Sequence, residues 1–407
     1  MPASSSSSPS EIPTAPSVGW GAAPVFLAFL AMGFGDAVGP FVSLAKQQFQ
    51  LTNFIAQLVA FAGFIMFGVL SVPVGVWQDR TGKRFILRLG LAIMLVSMVA
   101  PTLAGLRSFD VFLLLVLLLG AGATILQVAG NPLMRDVSPP GKYSRNLSLA
   151  QFVKAIGSMS GPLIPVLAAR WWGVSWRVIF PIFSVALALT LLATLRLRRD
   201  RPREPGRQAA TLGSCLRLLR RGEIAVMVLG IFLYVGAEVS MSSGIPLYFE
   251  QHFHLNLTRT GLLGTGLFFL ALTIGRFSGG VILNWMRPAR FFLLTCLVSI
   301  AGFAGVLATQ ATWAAAGFVV AGLGFANIFP LIFSITIDAH PQDSNALAGL
   351  MVMAIVGGAF LPPLMGYVAD RAHSDQIGFL VPLAAILYLL ATAMTAFRRG
   401  EPAAKAA

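Results

Sequence analysis

The feature that most limits what this chain can become is its recurrence of long apolar runs. About twelve stretches, each near the roughly 20-residue length that spans a bilayer, follow one another with short polar breaks between them. They lie near 21–44, 54–76, 85–105, 109–134, 146–169, 176–196, 222–249, 260–284, 290–310, 312–337, 345–369 and 376–397. Of the 407 residues, 57% are hydrophobic and 11% are charged, whereas a soluble domain carries about a quarter charged residues. A chain of this composition cannot hide its apolar surface from water. No alternation of apolar and polar residues marks the strands of a barrel. The expected fold class is an all-α integral membrane protein with twelve transmembrane helices.

The formal net charge of +14 would point to nucleic acid on a soluble protein. Here the basic residues collect on alternate loops, and topology explains them better. One set of loops holds Arg80, Lys83, Arg84, Arg88, Arg135, Lys142, Arg145, Arg287 and Arg290, the arginine-rich segment from Arg196 to Arg221, and Arg398, Arg399 and Lys405. The other set holds Lys46, Arg107, Arg170, Arg177, Arg259 and Arg371. The richer side is expected to be cytoplasmic, with both termini on it and no nucleic-acid partner. Residues 1–20, rich in Ser and Pro, are expected to form a disordered tail; they lack the basic start of a cleaved signal peptide. Cys215 and Cys296 are too few and too differently placed to suggest a disulfide or a metal site, and no cofactor is expected.

A basic linker, 198–221, divides the chain into an N-terminal half, 21–197, and a C-terminal half, 222–398, with a short tail at 399–407. The two halves are weakly self-similar. "GVWQDRTGKRF" (Gly75–Phe85) corresponds in order to "GGVILNWMRPARF" (Gly279–Phe291), and "VKAIGSMSGPLIP" to "VMAIVGGAFLPPL". Repeats of this kind build transporters whose sites lie between the repeats near mid-membrane. The second pairing sets Lys154 against Met353, so the helix does not itself demand a lysine.

"GVWQDRTGKR" fits the pattern G-x-x-x-D-R-x-G-[RK]-[RK]. Gly82 permits a tight turn, Asp79 can sit at a helix end, and Arg80, Lys83 and Arg84 hold the basic face. The loop resembles the signature loop of the major facilitator superfamily, in which it steadies one gate state and does not contact substrate. Gly75, Asp79, Arg80, Gly82, Lys83 and Arg84 are therefore read as a gating loop, and the fold as the major facilitator fold in two six-helix pseudo-symmetric halves. "LQVAGNP", "NLSLAQ", "YVGAEVS", "GRFSGG" and "AIVGGAFLPPLMG" are similar to segments of the fucose–galactose–glucose symporter family and occur in its order. That resemblance implies an uptake carrier for hexoses; a monomer in the bacterial inner (plasma) membrane is expected. The resemblance also implies coupling to H+, as in most bacterial members, or to Na+, as in some.

Several polar residues lie at membrane depth. Asp36, in "GFGDAVGP", is about 16 Å in when counted from Val25. Gly33, Gly35, Gly39 and Pro40 around it suggest a helix that can bend or open. Burial in hydrocarbon disfavours the charged carboxylate, which suits a group that takes up and releases protons; the resemblance implies the same role. The alternative is a fixed ion pair. Glu238 occupies the corresponding helix of the second half, either as a ligand for sugar or coupling ion or as a partner of Lys154 or Arg276. Gln127 and Asn131 share a helix face. Gln127 suits sugar hydroxyls, and Asn131 suits interhelical bonding. Gln151, Lys154 and Ser158 share another face, and Gly157 and Gly161 suit close helix packing. The resemblance marks two departures: related fucose carriers have a glutamate at the place of Gln127, and the family usually has a small amide at the place of Lys154. Asn327 is the second half's counterpart of the Gln127 region, and Phe34, Tyr234 and Phe329 are candidates to stack on a sugar ring. Lys154 has three readings: snorkelling, binding an anion, or pairing with Asp36 or Glu238, the last being the least costly. His340 reads as a loop residue.

No phosphate-binding loop of the type G-x-x-x-x-G-K-[ST] occurs, so ATP does not drive the protein directly. The four His are scattered in loops and no acid–base cluster suggests a membrane enzyme. The function that follows is import of a small polar solute, a hexose above all, by cation symport; a proton-coupled carrier of drugs or organic anions is the alternative.

Overall fold

The computed structural model describes residues 23–197, apart from 37, 39–40, 42–44, 46–47, 52 and 107, and residues 212–400, apart from 255–256 and 308–309. Gly39, Pro40, Lys46, Arg107, the N-terminal tail and the first part of the linker lie outside these residues. The described structure is helical throughout. In the first half, α1 spans Ala23–Gly35, α2 Asn53–Thr81, α3 Lys83–Ala104, α4 Phe109–Val137, α5 Tyr143–Trp172 and α6 Ile179–Thr194. In the second, α7 spans Gly222–Phe253, α8 Leu257–Ile282 and α9 Pro288–Val306. Helix α10 runs in two segments, Ala311–Phe325 and Ile328–Ala339; α11 also runs in two, Ser344–Met353 and Gly357–Ala372; α12 spans Leu380–Gly400.

Among the described residues, nine spans are long and apolar enough to cross a membrane by length and composition. The other three of the expected twelve are α1 and α8, whose described apolar parts are shorter, and α5, which is long but carries Gln151, Lys154 and several serines. Large apolar side chains on the outer faces, such as Val96, Leu103, Leu189 and Trp285, are exposed, as lipid-facing positions should be. The loop between α2 and α3 is a single residue, Gly82, at φ 91°, a left-handed conformation that glycine adopts without steric cost.

Two of the apolar stretches are not continuous helix. Helix α10 is interrupted at Asn327, and α11 passes through a short 3-10 turn, Ala354–Val356, before Gly357 and Gly358. In α11, Pro362 and Pro363 follow and lack the N–H groups a regular helix needs. The linker is also not wholly irregular: Leu212–Leu218 forms a short helix. Cys215 and Leu218 on it are buried, and it packs on α2 and the first segment of α11.

The halves meet through α2 with α11 and α5 with α8. Contacts are close where small residues cross. A Cβ on Gly33 of α1 would fall among backbone atoms of Lys154, Gly157 and Ser158 on α5, and one on Gly157 would meet the backbone of Leu30 and Gly33. Backbone cannot swing aside, so Gly33→Leu is expected to destabilise the protein by about 1–3 kcal/mol or more through overpacking. A melting temperature lowered by several degrees in detergent checks this; an unchanged one would mean that α1 and α5 do not cross there.

On the face that carries the basic loops, three bonds join the halves. Arg135 Nε lies 3.1 Å from Asp338 Oδ1, Ser144 Oγ donates to Ser334 Oγ at 2.8 Å, and Arg145 Nη1 donates to Asn284 Oδ1 at 3.4 Å. Below them Leu149 fills the space over Gly280, and Val356 that over Gly68; deeper in, Thr273 Oγ1 of α8 donates to Met159 Sδ of α5 at 3.2 Å. These contacts hold the two halves together on the basic face.

Candidate functional site

The site begins where α1 stops being a helix. The α-helix ends at Gly35, and Asp36 sits in a turn whose N–H donates to Gly33 O at 3.0 Å. Gly33 and Gly35, two of the residues predicted to loosen the helix, therefore coincide with its end. The Asp36 carboxylate faces α5, where Ser158 Oγ donates to Oδ2 at 2.8 Å and Lys154 Nζ lies 3.1 Å from the same oxygen.

Lys154 is eleven residues beyond Tyr143, where α5 starts, or about 16 Å into the membrane at helical rise. This is deeper than a start at Asn146 would give. Its side chain is 13% exposed and that of Asp36 28%. Of the three readings of Lys154, the structure has the ion pair with Asp36.

The second half carries a matching pair. Glu238, on α7, accepts from Arg276 Nη2 of α8 at 2.9 Å. Arg276 is 8% exposed and also donates from Nε to Ala326 O at 3.3 Å, at the break in α10. Each half thus sets a carboxylate on its first helix against a base on a helix of the α5–α8 contact. Asp36 is also within electrostatic reach of Arg276, so the pairs belong to one charged centre at the meeting of the halves.

Other buried polar side chains of the described helices have unused hydrogen-bonding capacity. Gln127 is 2% exposed and Gln151 is 3% exposed; the Gln151 Nε2 has no hydrogen-bond partner. Tyr234, fully buried, lies beside Glu238 and Arg276 without meeting hydrogen-bond geometry to either. Asn327 is committed to packing: its Nδ2 donates to Gly275 O at 2.7 Å, and its side chain occupies the space over Gly279. Its Oδ1 is unpartnered. Asn131 differs from expectation, since its buried side-chain amide makes no interhelical hydrogen bond; only its backbone O accepts, from Tyr143 Oη at 3.2 Å. Among the aromatics, Phe34 already stacks on Phe183 with ring centroids 4.0 Å apart, and Tyr234 packs on Phe325 and Phe329.

The gating loop stands apart from this centre, on the basic face. Lys83 Nζ lies 2.6 Å from Asp136 Oδ2 at the end of α4, Gly75 faces Gly349 of α11, and Arg80 is exposed at the end of α2. His340 lies 3.3 Å from Glu223 on the same face. Sequence reasoning missed the Ser158 bond to Asp36 and the three bonds that join the halves on the basic face. Serine spacing on α5 placed Ser158 on the right face; nothing local in the sequence pairs Arg135 with Asp338, 203 positions away. Among the described residues no cluster of His, Cys, Asp and Glu could hold a metal ion.

Two six-helix halves with charged groups gathered where they meet define a membrane carrier, not an enzyme. The profile of the Major Facilitator Superfamily matches residues 25–355, and the chain belongs to that family. It is 27% identical to the glucose/galactose transporter of Brucella abortus, over 84% of this chain and 86% of that protein. It is 24% identical to the L-fucose-proton symporter of Escherichia coli, over 83% and 84% of the two chains. The fold superimposes on the crystal structure of a Major Facilitator Superfamily transporter, FucP, in the outward conformation. The TM-score there is 0.76 at 21% identity, covering 91% of this chain and 98% of that one.

Proposed function

We propose that the protein imports a hexose-class sugar by cation symport, with H+ as the coupling ion, through alternating access of its two halves to a central site. One observation carries this reading. Asp36 sits at a break in α1, half-open, between the halves of a major facilitator fold, with uncommitted amides on α4 and α5 nearby in the helix order. The names of the relatives, glucose/galactose transporter and L-fucose-proton symporter, support the sugar and the proton. The roles are Asp36 for coupling, Gln127, Gln151 and Glu238 for substrate, and Arg276 as the fixed partner of Glu238. Asn327 holds the shape of the site.

The excess of Lys and Arg on the basic face supports a reading in which the face, and both termini, lie in the cytoplasm at a bacterial inner membrane. One chain supplies both halves of the site, so a monomer suffices. Na+ in place of H+ is a variant that ion substitution in the transport assay separates. A second reading, an organic-anion carrier on the same fold, is favoured by one observation, the Lys154 ammonium at the centre.

Truncating a hydrogen bond to a neutral sugar costs about 0.5–1.5 kcal/mol. Gln127→Ala and Gln151→Ala are each expected to weaken sugar binding several-fold at normal expression, read as a reduced ligand-induced shift in melting temperature. Unchanged affinity in both variants would move the site elsewhere.

A further inference from the structure

We propose that the solute is a sugar acid, a hexose derivative bearing a carboxylate, and that Lys154 is the subsite that receives this carboxylate. The inference rests on the sugar-carrier reading and narrows its substrate class.

The fold does not require Lys154, since the repeat-related position holds Met353. The two ion pairs also differ in kind. Arg276 has two partners, Glu238 and Ala326 O, and is almost fully buried. That pair is closed. Asp36 and Lys154 are more accessible, at 28% and 13%, and Asp36 is held at a turn rather than inside a helix. This pair can exchange one carboxylate for another. Three residues before Lys154, on the same face of α5, the Gln151 amide is buried with no partner for Nε2. An ammonium and an idle N–H donor on one face suit the two oxygens of a carboxylate.

The charge balance supplies the second argument. The empty centre holds two carboxylates and two cations and is neutral. If a neutral sugar enters with a proton on Asp36, Lys154 is left as an unbalanced charge at mid-membrane, which is costly. If a sugar acid enters, its carboxylate takes the place of Asp36 on Lys154 while Asp36 binds a proton from the water of the open side. An O–H bond of a hydronium ion breaks, leaving water, one O–H bond forms on Asp36, and the centre is neutral again. The proton without the anion strands the lysine, and the anion without the proton sets two carboxylates on one ammonium. Each therefore favours the other, and the pair crosses with no net charge. Helices α3, α4 and α6 also pack on α1; among their described residues α3 carries charge only near its start, at Lys83, Arg84 and Arg88, α4 only near its ends, at Asp110, Arg135 and Asp136, and α6 carries none. Beyond Lys154, the charge within reach of Asp36 is Arg276 of α8, itself paired with Glu238 of α7.

The test is uptake by the full-length protein in proteoliposomes, with labelled D-glucuronate and D-glucose as probes. Glucuronate is expected to accumulate under a pH gradient, alkaline inside, and to respond little to an imposed potential of about 100 mV. Lys154→Gln is expected to lower glucuronate uptake by about ten- to a hundredfold, and Lys154→Arg to recover most of it. The double variant Lys154→Gln with Asp36→Asn keeps the centre neutral and should fold if the single variant does not. It is expected to lose the thermal stabilisation by glucuronate. Accumulation of glucose but not of glucuronate, or glucuronate uptake indifferent to Lys154→Gln, overturns the proposal and leaves the sugar reading standing. Movement of neither probe overturns both.

Discussion

Arg276→Met is expected to destabilise the protein by about 3–5 kcal/mol, the cost of breaking a buried ion pair from one side. The size follows from burial. Arg276 is 8% exposed and Glu238 18%, so the stranded Glu238 carboxylate has little water to turn to. Surface pairs of this protein behave differently: Arg135–Asp338, at 29% and 47% exposure, belongs to the class worth about 0–1 kcal/mol. Arg276→Met also removes the donor to Ala326 O at the break of α10. The double variant Arg276→Met with Glu238→Gln removes the charge that makes the single variant costly and should recover a large part of the loss. Thermal melts of the four proteins in detergent give the coupling. A value below about 0.5 kcal/mol, the scatter of independent sites, would mean that the pair contributes nothing specific to stability.

Asp36→Asn is expected to abolish uphill accumulation while leaving exchange of substrate across the membrane. The amide keeps the size of the side chain and its capacity to accept from Ser158 Oγ, so packing at the α1–α5 crossing is preserved. What it loses is the ability to carry a proton. Lys154, left without its partner, becomes available to other anions, so binding of an acidic solute should persist even where its pumping fails. Uphill accumulation by the Asn variant would show that Asp36 is a structural residue and that coupling lies elsewhere, with Glu238 the remaining carboxylate of the centre.

Much of this was legible in the sequence because hydrocarbon makes strong demands. A helix must be about 20 apolar residues long to cross, so the spans stand out. A carboxylate or lysine among them is expensive enough to need a partner, so Asp36, Lys154 and Glu238 stand out as well. The turn at Gly82 was readable because a one-residue connection at positive φ favours glycine. What remained hidden was choice among partners. Lys154 could have reached either acid, and only the crossing of α1 on α5 at Gly33 and Gly157 decides for Asp36. The breaks at Asn327 and Ala354–Val356 were hidden because apolar composition is the same in broken and unbroken helix. The bonds that join the halves on the basic face link residues far apart in sequence, and nothing local announces them.

The central claim is that this chain moves sugars through a site between its two halves. Entrance counterflow tests it most directly, because exchange needs the site and the rocking of the halves but no ion gradient. Vesicles containing the purified protein are loaded with unlabelled hexose or hexuronate and diluted into a trace of the labelled compound. A transient overshoot of label inside, absent from protein-free vesicles and reduced several-fold by Gln127→Ala and Gln151→Ala, is the predicted result. A folded protein that shows no overshoot with any hexose or hexose acid would contradict the claim.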